Sequence, residues 1–388
     1  MIRTLTACTT EVDDDIIAIE EIKSQLKLET KLLKNSIGII ACHYEFVISG
    51  IAKAVCDALP FDVVGTISSP LSVNGKADSL LLTIMVLTCD DVEFVKVLTP
   101  SLLEQPGKVI AESYKAATAE RDERPALILA YAPFMSQNSG DEYVNVITEV
   151  SNAAPCFGTI AIDDMPDYSN CFMLHNGEHY SDRMSMVLIY GNIHPKFYIA
   201  NISPDKALDK SAIITKSEGH VIMELNGRSV DEFFESLGLT KASEETYAMS
   251  SLPFLLDYND GTPKVSKIFV SLTPERYALC AGATPEGSTL NIATTDKEDV
   301  LLTSEQAADL ILGDIEGASG LLIYSCIARS MVLIGEHQYS EIDLINKKTA
   351  GKLPFMMAYS GGEFCPTQDS NNKAINRFHN NAFIACLF

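Results

Sequence analysis

Short apolar runs bounded by turn residues dominate the pattern of hydrophobic and polar positions along this chain. Three of them lie near its end, at residues 321–324, 353–359 and 382–388. Runs of this length, closed off by glycine, serine or asparagine, are typical of buried strands. Because ligands of α/β folds bind at the ends of strands, we expect the polar residues that border these runs to form a pocket.

Similar runs occur earlier in the chain, and a strand, a helix and two further strands are predicted three times in this order. The first copy has strands at 37–42, 62–66 and 80–87 with a helix at 46–59, the second has strands at 126–131, 156–161 and 184–190 with a helix at 141–150, and the third has strands at 321–324, 354–359 and 382–388 with a helix at 327–335. This recurrence indicates internal duplication. The predicted fold is α/β (mixed α+β), with repeated strand–helix–strand–strand units that form mixed sheets flanked by helices.

Two regions lie outside these repeats. Residues 9–34 carry threonines that can cap a helix, acids in its first turn and lysines near its end, which predicts a packing helix. Residues 212–228 predict a hairpin that is followed by an Asn-Gly turn. With a boundary after Pro204, the predicted domains are a packing helix over 1–33, an N-terminal half with two units over 34–204, and a C-terminal half with the hairpin region and the third unit over 205–388.

The balance of charges narrows the range of partners. With 388 residues, of which 47% are hydrophobic and 21% charged, the chain is globular and long enough for more than one domain. Its 29 basic residues face 52 acidic ones, which gives a net charge of −23. Such a charge repels phosphate backbones and anionic lipid, so we expect neither nucleic acid nor a membrane surface as a partner.

Cysteine usage points to a reducing compartment. The ten cysteines are scattered, without a Cys-x-x-Cys pair or a Cys/His cluster of zinc-binding spacing. Several lie inside apolar runs, where free thiols pack as small hydrophobic groups. The sequence shows no signal peptide and no apolar run long enough to span a membrane. We therefore expect a cytoplasmic location, no metal ion and no cofactor.

Several short segments of the middle and the tail follow one another as they do in the FIST domain family. They are Ile214-Thr215-Lys216, Met223-Glu224-Leu225-Asn226-Gly227-Arg228, Pro285-Glu286-Gly287-Ser288, Ser325-Cys326, Arg329, Glu341, Gly362-Glu363 and His379-Asn380. The chain thus resembles this family over residues 34–388, as a FIST N-like and a FIST C-like half. The resemblance implies a sensory module, paired in bacteria with signalling outputs and also found alone, that binds small ligands such as amino acids. The N-terminal half departs from the family pattern, since Thr159 replaces a glycine.

Opposite charges in the tail suggest how such a ligand is held. Arg329 can grip a carboxylate with two hydrogen bonds, and Glu341 or Glu363 can accept an ammonium group. We therefore expect a zwitterionic metabolite such as an amino acid, whose binding is read by a separate output protein. The other expected ligand contacts are Cys326, Gly362, His379 and Asn380. The alternative is that Arg329 and Glu341 pair with each other as internal structure.

Cys326 suggests an alternative function, that of an enzyme with a cysteine nucleophile. It follows a predicted strand and begins a predicted helix, whose N-terminus would lower the pKa of the thiol. With His379 and Glu363 it could form the nucleophilic triad of a hydrolase or transferase. The opposing interpretation is an inert core thiol, since free cysteine is often buried. A third hypothesis is an interaction scaffold without a ligand.

Overall fold

In the part of the chain that the structure describes, three six-stranded mixed sheets and one seven-stranded antiparallel sheet form the framework. The structure, a computed structural model, describes residues 2–135, 137–164, 168–237, 253–335, 337–369, 371 and 373–388. The six-stranded sheets are built from three similar units, and the antiparallel sheet is inserted in the third unit. The prediction of a mixed α+β fold, with repeated units that form mixed sheets flanked by helices, is thereby confirmed.

The first unit shows the order of elements that the other two follow. Its elements are β1 (Arg3–Thr9), α1 (Asp15–Leu26), α2 (Leu28–Lys31), β2 (Asn35–Cys42), α3 (Tyr44–Ile48), α4 (Ile51–Asp57), β3 (Asp62–Ile67), β4 (Leu71–Val73), β5 (Lys76–Asp78) and β6 (Leu82–Cys89). Strands β2 and β3 pair in parallel, and β6 pairs antiparallel with both β1 and β2. Strands β4 and β5 form a hairpin that leaves this sheet.

The second unit repeats this order. Its elements are β7 (Glu93–Leu98), α5 (Pro106–Ala117), β8 (Leu127–Ala132), α6 (Gly140–Val150), β9 (Cys156–Ile160), β10 (Met173–His175), β11 (Glu178–Tyr180) and β12 (Ser185–Tyr190). Strands β8 and β9 pair in parallel, and β12 pairs antiparallel with both β7 and β8. Strands β10 and β11 form the hairpin that corresponds to β4–β5.

The third unit begins with β13 (Lys196–Ala200) and is then interrupted by the seven-stranded sheet, which we call the barrel. The elements of the barrel are β14 (Ala207–Glu218), β15 (Val221–Leu225), β16 (Arg228–Ser229), α7 (Val230–Ser236), β17 (Pro253–Asp257), β18 (Val265–Leu272), β19 (Ala278–Cys280) and β20 (Thr289–Ala293). Strand β14 pairs with β20 in its first half and with β15 in its second half. The sheet therefore closes on itself around a core of apolar side chains.

After the barrel, the third unit continues in the common order. Its remaining elements are α8 (Lys297–Gly313), β21 (Leu321–Cys326), α9 (Ile327–Val332), α10 (Ser340–Thr349), β22 (Phe355–Ser360), β23 (Glu363–Gln368), β24 (Ala374–His379) and β25 (Phe383–Leu387). Strands β21 and β22 pair in parallel, and β25 pairs antiparallel with β21 and β13. Strands β23 and β24 form the third hairpin.

Each six-stranded sheet is completed by the hairpin of a different unit. Hairpin β10–β11 pairs with β3 of the first unit, hairpin β23–β24 pairs with β9 of the second unit, and hairpin β4–β5 pairs with β22 of the third unit. The exchange is cyclic and relates the three units by an approximate threefold axis. We call the three sheets and their helices the prism.

Alternate residues of the parallel strands divide between one central core and three outer cores. In β2, Ile39 faces a central core shared by all three sheets, whereas Ile40 faces the helices of its own unit. Tyr131 of β8 and Tyr324 of β21 also lie in the central core, where the Tyr324 hydroxyl donates to the Tyr131 hydroxyl at 3.2 Å. Strands buried on both faces need apolar residues at successive positions, which explains the continuous apolar runs in the sequence.

Helices from each unit cover the outer faces of the sheets. Helix α1 packs against α4, α5 against α6, and α8 against α10. Local hydrogen bonds fix their starts, since Asp14 accepts from two N–H groups of α1 and Ser139 accepts from one of α6. None of the helices in the described part of the chain has the length and apolar character needed to cross a membrane.

The N-terminal segment, predicted as a packing helix over residues 1–33 with its cap at Thr9 or Thr10, differs from that prediction. Residues 3–9 form strand β1, which pairs along its length with β6, and the first helix begins at Asp15. The Thr9 hydroxyl donates to Glu21 at 2.6 Å instead of capping a helix. Alternating threonines and apolar residues favour the strand, because β-branched side chains fit a pleated surface.

Candidate functional site

The carboxyl ends of parallel strands from all three units converge on one cleft, which we call the axial pocket. Its volume is about 280 Å³. Ser69 lies just after β3, Asp163 just after β9 and Ile327 directly after β21. The other lining residues are Pro70, Ser79, Asp164, Tyr168, Ser330, Met331, Ile334 and Gln338. Strand ends of this kind are where α/β folds bind their ligands.

Two adjacent aspartates give the axial pocket an acidic wall. Asp163 is buried and accepts a hydrogen bond from the Asn170 N–H at 2.8 Å. The half-exposed Asp164 lies 3.3 Å from Nε2 of His43, whose Nδ1 accepts from the Glu45 N–H, so Nε2 carries the hydrogen and donates to Asp164. Among the residues that the structure describes, those that line the pocket include neither lysine nor arginine. Within the described ranges, no three His, Cys, Asp or Glu side chains are grouped so that they could hold a metal ion.

Arg329 and Glu341, which were expected to grip the two ends of a zwitterion, pair with each other. Both are buried, and the Arg329 Nε and Nη2 atoms lie 3.0 and 2.8 Å from Oε1 of Glu341. The guanidinium also donates to the Val300 carbonyl and to the hydroxyls of Thr303 and Ser304. This geometry is the internal ion pair that formed the alternative interpretation of these two residues.

Hydroxyl groups complete the surroundings of the Glu341 carboxylate. Ser325 and Tyr359 donate to its Oε2 atom at 2.7 and 2.8 Å, and Ser304 donates to Oε1. Burial raises the pKa of Glu341, but the charge of Arg329 and the hydroxyl hydrogen bonds outweigh burial, so the net pKa is lowered. The ion pair therefore stays charged, and it ties β21 and β22 to α8 and α10 beneath the axial pocket.

Cys326 and Glu363, both predicted as ligand contacts, lie in contact with each other. Both are buried; the Cys326 thiol hydrogen-bonds Glu363, which also accepts from Ser360. Burial raises the pKa of the Glu363 carboxyl well above its ordinary value. Burial, and then the neighbouring Glu363, raise the pKa of the Cys326 thiol in the same way. A thiol whose pKa is raised above its ordinary value stays protonated near pH 7, and a neutral thiol is a poor nucleophile.

Cys326 is expected to resist alkylation in the folded protein, because only the thiolate reacts and its raised pKa leaves little thiolate below pH 9. Iodoacetamide treatment at several pH values, followed by peptide mass spectrometry, measures this. Cys326 should stay unmodified until urea unfolds the chain and exposes it. Rapid modification of Cys326 below pH 8 in the native protein would contradict the expectation and favour the nucleophile.

His379 does not join Cys326 in the nucleophilic triad of the alternative hypothesis. Its Nε2 lies 3.2 Å from the carbonyl oxygen of Cys365 and therefore carries the hydrogen that it donates. Among the described residues, no hydrogen bond links the His379 ring to Cys326. Burial lowers the pKa of His379 to about 4, so the ring is neutral at pH 7.

Gly362 directly precedes β23 and Asn380 directly follows β24, so both lie at the open end of this hairpin. A Cβ atom at Gly362 would overlap the Phe378 ring, so close packing of β23 on β24 accounts for this glycine. Asn380 is fully buried, and its N–H donates to the Ser266 carbonyl of β18 at 3.1 Å. The predicted tail residues thus divide among the Arg329–Glu341 ion pair, the buried Cys326–Glu363 pair and the open end of hairpin β23–β24.

The axial pocket contains residues that the sequence patterns did not indicate. The predicted site was confined to the tail, whereas Asp163, Asp164 and His43 come from the first two units. The internal repeat could have indicated these residues. Segments 65–69 and 158–163 lie at the end of the second parallel strand in their units, and Gly361 lies at the corresponding place in the third unit. Equivalent positions of the three units meet at the approximate threefold axis, so the aspartates at the end of the second unit's strand are expected to lie near the third unit's tail residues.

Comparison with known proteins matches two consecutive regions of the chain. The FIST N domain matches residues 36–228, and the FIST C domain matches residues 230–366. No curated protein matches the chain. Among solved structures, cyanuric acid hydrolase from A. caulinodans is similar at 8% identity and a TM-score of 0.36, with 100% of this chain and 98% of that chain covered. PurLQS from Thermotoga maritima is similar at 9% identity and a TM-score of 0.22, with 100% and 72% covered.

Proposed function

The chain belongs to the FIST family, whose domains are generally regarded as sensory, ligand-binding domains of signal transduction, and we propose that it binds a small metabolite in the axial pocket through an ammonium group. Asp163 and Asp164 are the proposed partners of that group. An amino acid is the ligand class that we put first, and a free amine the second. The observation that carries the proposal is the acidic wall at the point where strand ends of all three units meet.

Charge complementarity supports a cationic group on the ligand. Asp163 is largely withdrawn from water, and a carboxylate attracts an ammonium group more strongly where the dielectric constant is low. A ligand carboxylate finds no lysine or arginine among the lining residues and is repelled by the aspartates. An amino acid therefore enters with its ammonium group first and keeps its carboxylate towards solvent.

The remaining walls suit a small, partly apolar molecule. Ser69, Tyr168 and Ser330 bring hydroxyl groups, while Met331 and Ile334 bring apolar surface for a ligand side chain. A volume of about 280 Å³ lies at the small end of ligand sites in proteins. These dimensions favour a molecule of amino-acid size over a nucleotide or a larger cofactor.

Helix α9 is the element through which we propose that binding is signalled. Ile327, Ser330 and Met331 place one side of this short helix against the axial pocket. Ile334 lies two residues beyond the end of this helix and is 73% exposed, although it is a large apolar residue. A ligand that fixes α9 also fixes the position of Ile334, which a separate output protein can contact.

Asp164→Asn is expected to weaken binding of an amino acid or amine about tenfold or more, because a hydrogen bond to a charged group contributes about 1.5–3 kcal/mol. Isothermal titration with a panel of amino acids and amines identifies the ligand and measures the change. The N-acetyl derivative of the same ligand, which lacks the positive charge, should fail to bind the unmodified protein.

Asp13→Asn is the matched control for this experiment. Asp13 is an exposed residue outside the lining of the axial pocket, and its substitution changes the net charge by the same amount. Affinity should be unchanged in this variant. The proposal is overturned if no amine or amino acid binds, if the N-acetyl derivative binds equally well, or if the two substitutions have the same effect.

A further inference from the structure

Most carboxylate oxygens of the acidic wall already accept a hydrogen bond from the protein. Oδ2 of Asp163 accepts from the Asn170 N–H at 2.8 Å, and Oδ1 accepts from the Cys171 thiol at 3.6 Å. Oδ2 of Asp164 accepts from His43 at 3.3 Å. Oδ1 of Asp164 has no hydrogen bond to any residue that the structure describes. One carboxylate oxygen is therefore free of protein donors, while both aspartates attract a cation.

An aromatic ring borders these carboxylates. Tyr168 lines the axial pocket and is partly buried. Burial, and then Cys171 and Asp163, raise the pKa of Tyr168, so its hydroxyl lies within electrostatic range of Asp163. The ring of Phe134, which is 37% exposed, packs against Tyr168 with 5.7 Å between the ring centroids. A cation that lies beside both an acid and an aromatic face is attracted by each of them.

The other side of the axial pocket adds apolar surface. Ile327, Met331 and Ile334 line it from α9 and the residues beyond this helix, and Pro70 lines it from the loop after β3. A primary ammonium group carries three hydrogens and is strongly hydrated, so burying it against apolar groups is costly. Methyl groups on the nitrogen replace those hydrogens and leave the positive charge in place. An N-methylated ammonium group therefore suits a wall of apolar and aromatic side chains.

We propose that Tyr168 makes the axial pocket selective for an N-methylated ammonium group that keeps one N–H. The N–H donates to the free Oδ1 of Asp164, and the methyl groups lie against the ring of Tyr168 and the side chain of Met331. The ligand class is thus an N,N-dimethyl amino acid or another tertiary amine in its protonated form. This inference rests on the proposed function, because it specifies the ammonium group that this function assigns to the ligand.

The two neighbouring classes of ammonium group fit less well. A primary ammonium group needs two acceptors besides Asp164, and the lining offers the hydroxyls of Ser69 and Ser330, of which Ser69 already donates to the Ser79 carbonyl at 3.4 Å. A hydroxyl accepts less strongly than a carboxylate does. A quaternary ammonium group has no N–H, so it leaves Oδ1 of Asp164 without a donor.

Isothermal titration of the full-length protein with glycine and its N-methyl, N,N-dimethyl and N,N,N-trimethyl derivatives tests this selectivity. N,N-dimethylglycine should bind at least about threefold more tightly than glycine and than the trimethyl derivative. Glycine or the trimethyl derivative binding as tightly as N,N-dimethylglycine overturns the inference and leaves the proposed function standing. Binding of other amines without binding of N,N-dimethylglycine has the same consequence. If no ammonium compound binds, the proposed function fails as well.

Tyr168→Leu separates selectivity from structure, because it removes the ring and keeps an apolar side chain. The affinity for N,N-dimethylglycine should fall about three- to tenfold, whereas the affinity for glycine should change less than about twofold. Tyr168→Phe keeps the ring and should retain the preference for the dimethyl compound. Tyr277→Leu, at a partly buried tyrosine outside the pocket lining, is the matched control and should leave both affinities unchanged. An equal loss for both ligands in Tyr168→Leu contradicts the inference.

Discussion

Gly65→Ala is expected to prevent folding or to lower the free energy of unfolding by more than about 4 kcal/mol. A Cβ atom at position 65 would overlap the carbonyl oxygen of Ile40, the residue beside it on the parallel strand β2. The backbone cannot retreat without breaking the ladder between β2 and β3, because core packing on both faces holds this sheet in place. Soluble yield, circular dichroism and urea unfolding measure the effect.

Gly313→Ala serves as the control for Gly65→Ala. Gly313 is the last residue of α8, and a Cβ atom there would meet no neighbouring atom within 4 Å. Stability should be unchanged or slightly higher, since alanine favours helical backbone more than glycine does. A soluble Gly65→Ala protein with an unchanged urea midpoint would show that the register of β2 and β3 is wrong.

Glu341→Ala should destabilise the protein by about 3–5 kcal/mol, as is usual when one partner of a buried ion pair is removed. The substitution leaves the Arg329 charge buried without a carboxylate, and it leaves the hydroxyls of Ser325 and Tyr359 without their acceptor. Urea unfolding followed by tyrosine fluorescence measures the loss. A change below about 1 kcal/mol would mean that water reaches this pair.

A double substitution distinguishes a structural role of Arg329 and Glu341 from a role in ligand binding. Arg329→Met combined with Glu341→Leu replaces the ion pair by apolar side chains and should recover much of the stability that Glu341→Ala loses. Because the pair lies beneath the axial pocket and does not line it, this variant should also keep its affinity for the ammonium ligand. Loss of binding in a stable double variant would restore the predicted role of Arg329 as a ligand contact.

The strands of the three units were predictable because their burial leaves a simple trace in the sequence. In β2, β8 and β21, one face packs on the central core and the other on helices, so apolar residues occupy successive positions. Turn chemistry was equally visible: Asn74-Gly75 and Asn176-Gly177 connect the strands of two exchanged hairpins. Such signals are local, and they were enough for the class of fold.

The partners of those hairpins could not be predicted from the same signals. Strand β4 pairs with β22, which lies about 280 residues further along the chain. The sequence pattern of residues 71–78 does not indicate which strand this hairpin pairs with. Strand β1 was mistaken for part of a helix for a related reason, since its pairing with β6 is what makes its alternating pattern a strand. Pairings between distant strands depend on the closed arrangement of all three sheets.

The candidate site shows the same division between chemistry and placement. The sequence indicated that Arg329 and Glu341 could form an internal ion pair. It did not indicate that the hydroxyls of Ser304, Ser325 and Tyr359 would donate the remaining hydrogen bonds to the Glu341 carboxylate. Asp163 was not among the predicted site residues, and only its position in the lining of the axial pocket makes it a candidate. A residue type indicates what a side chain can do, whereas its partners decide what remains free for a ligand.

The cyclic exchange of hairpins has a consequence for how the chain folds as it leaves the ribosome. The first sheet is incomplete until β10–β11 have been synthesised, and the second is incomplete until β23–β24 have been synthesised. The third cannot form before β25, which pairs with β21, has been synthesised. Nascent domains usually fold one after another during synthesis. The first sheet gains its hairpin once β10–β11 have been made, whereas β9 of the second sheet keeps an open edge until β23 has been made. A chain cut short before β23 therefore retains an unpaired edge that can recruit other chains.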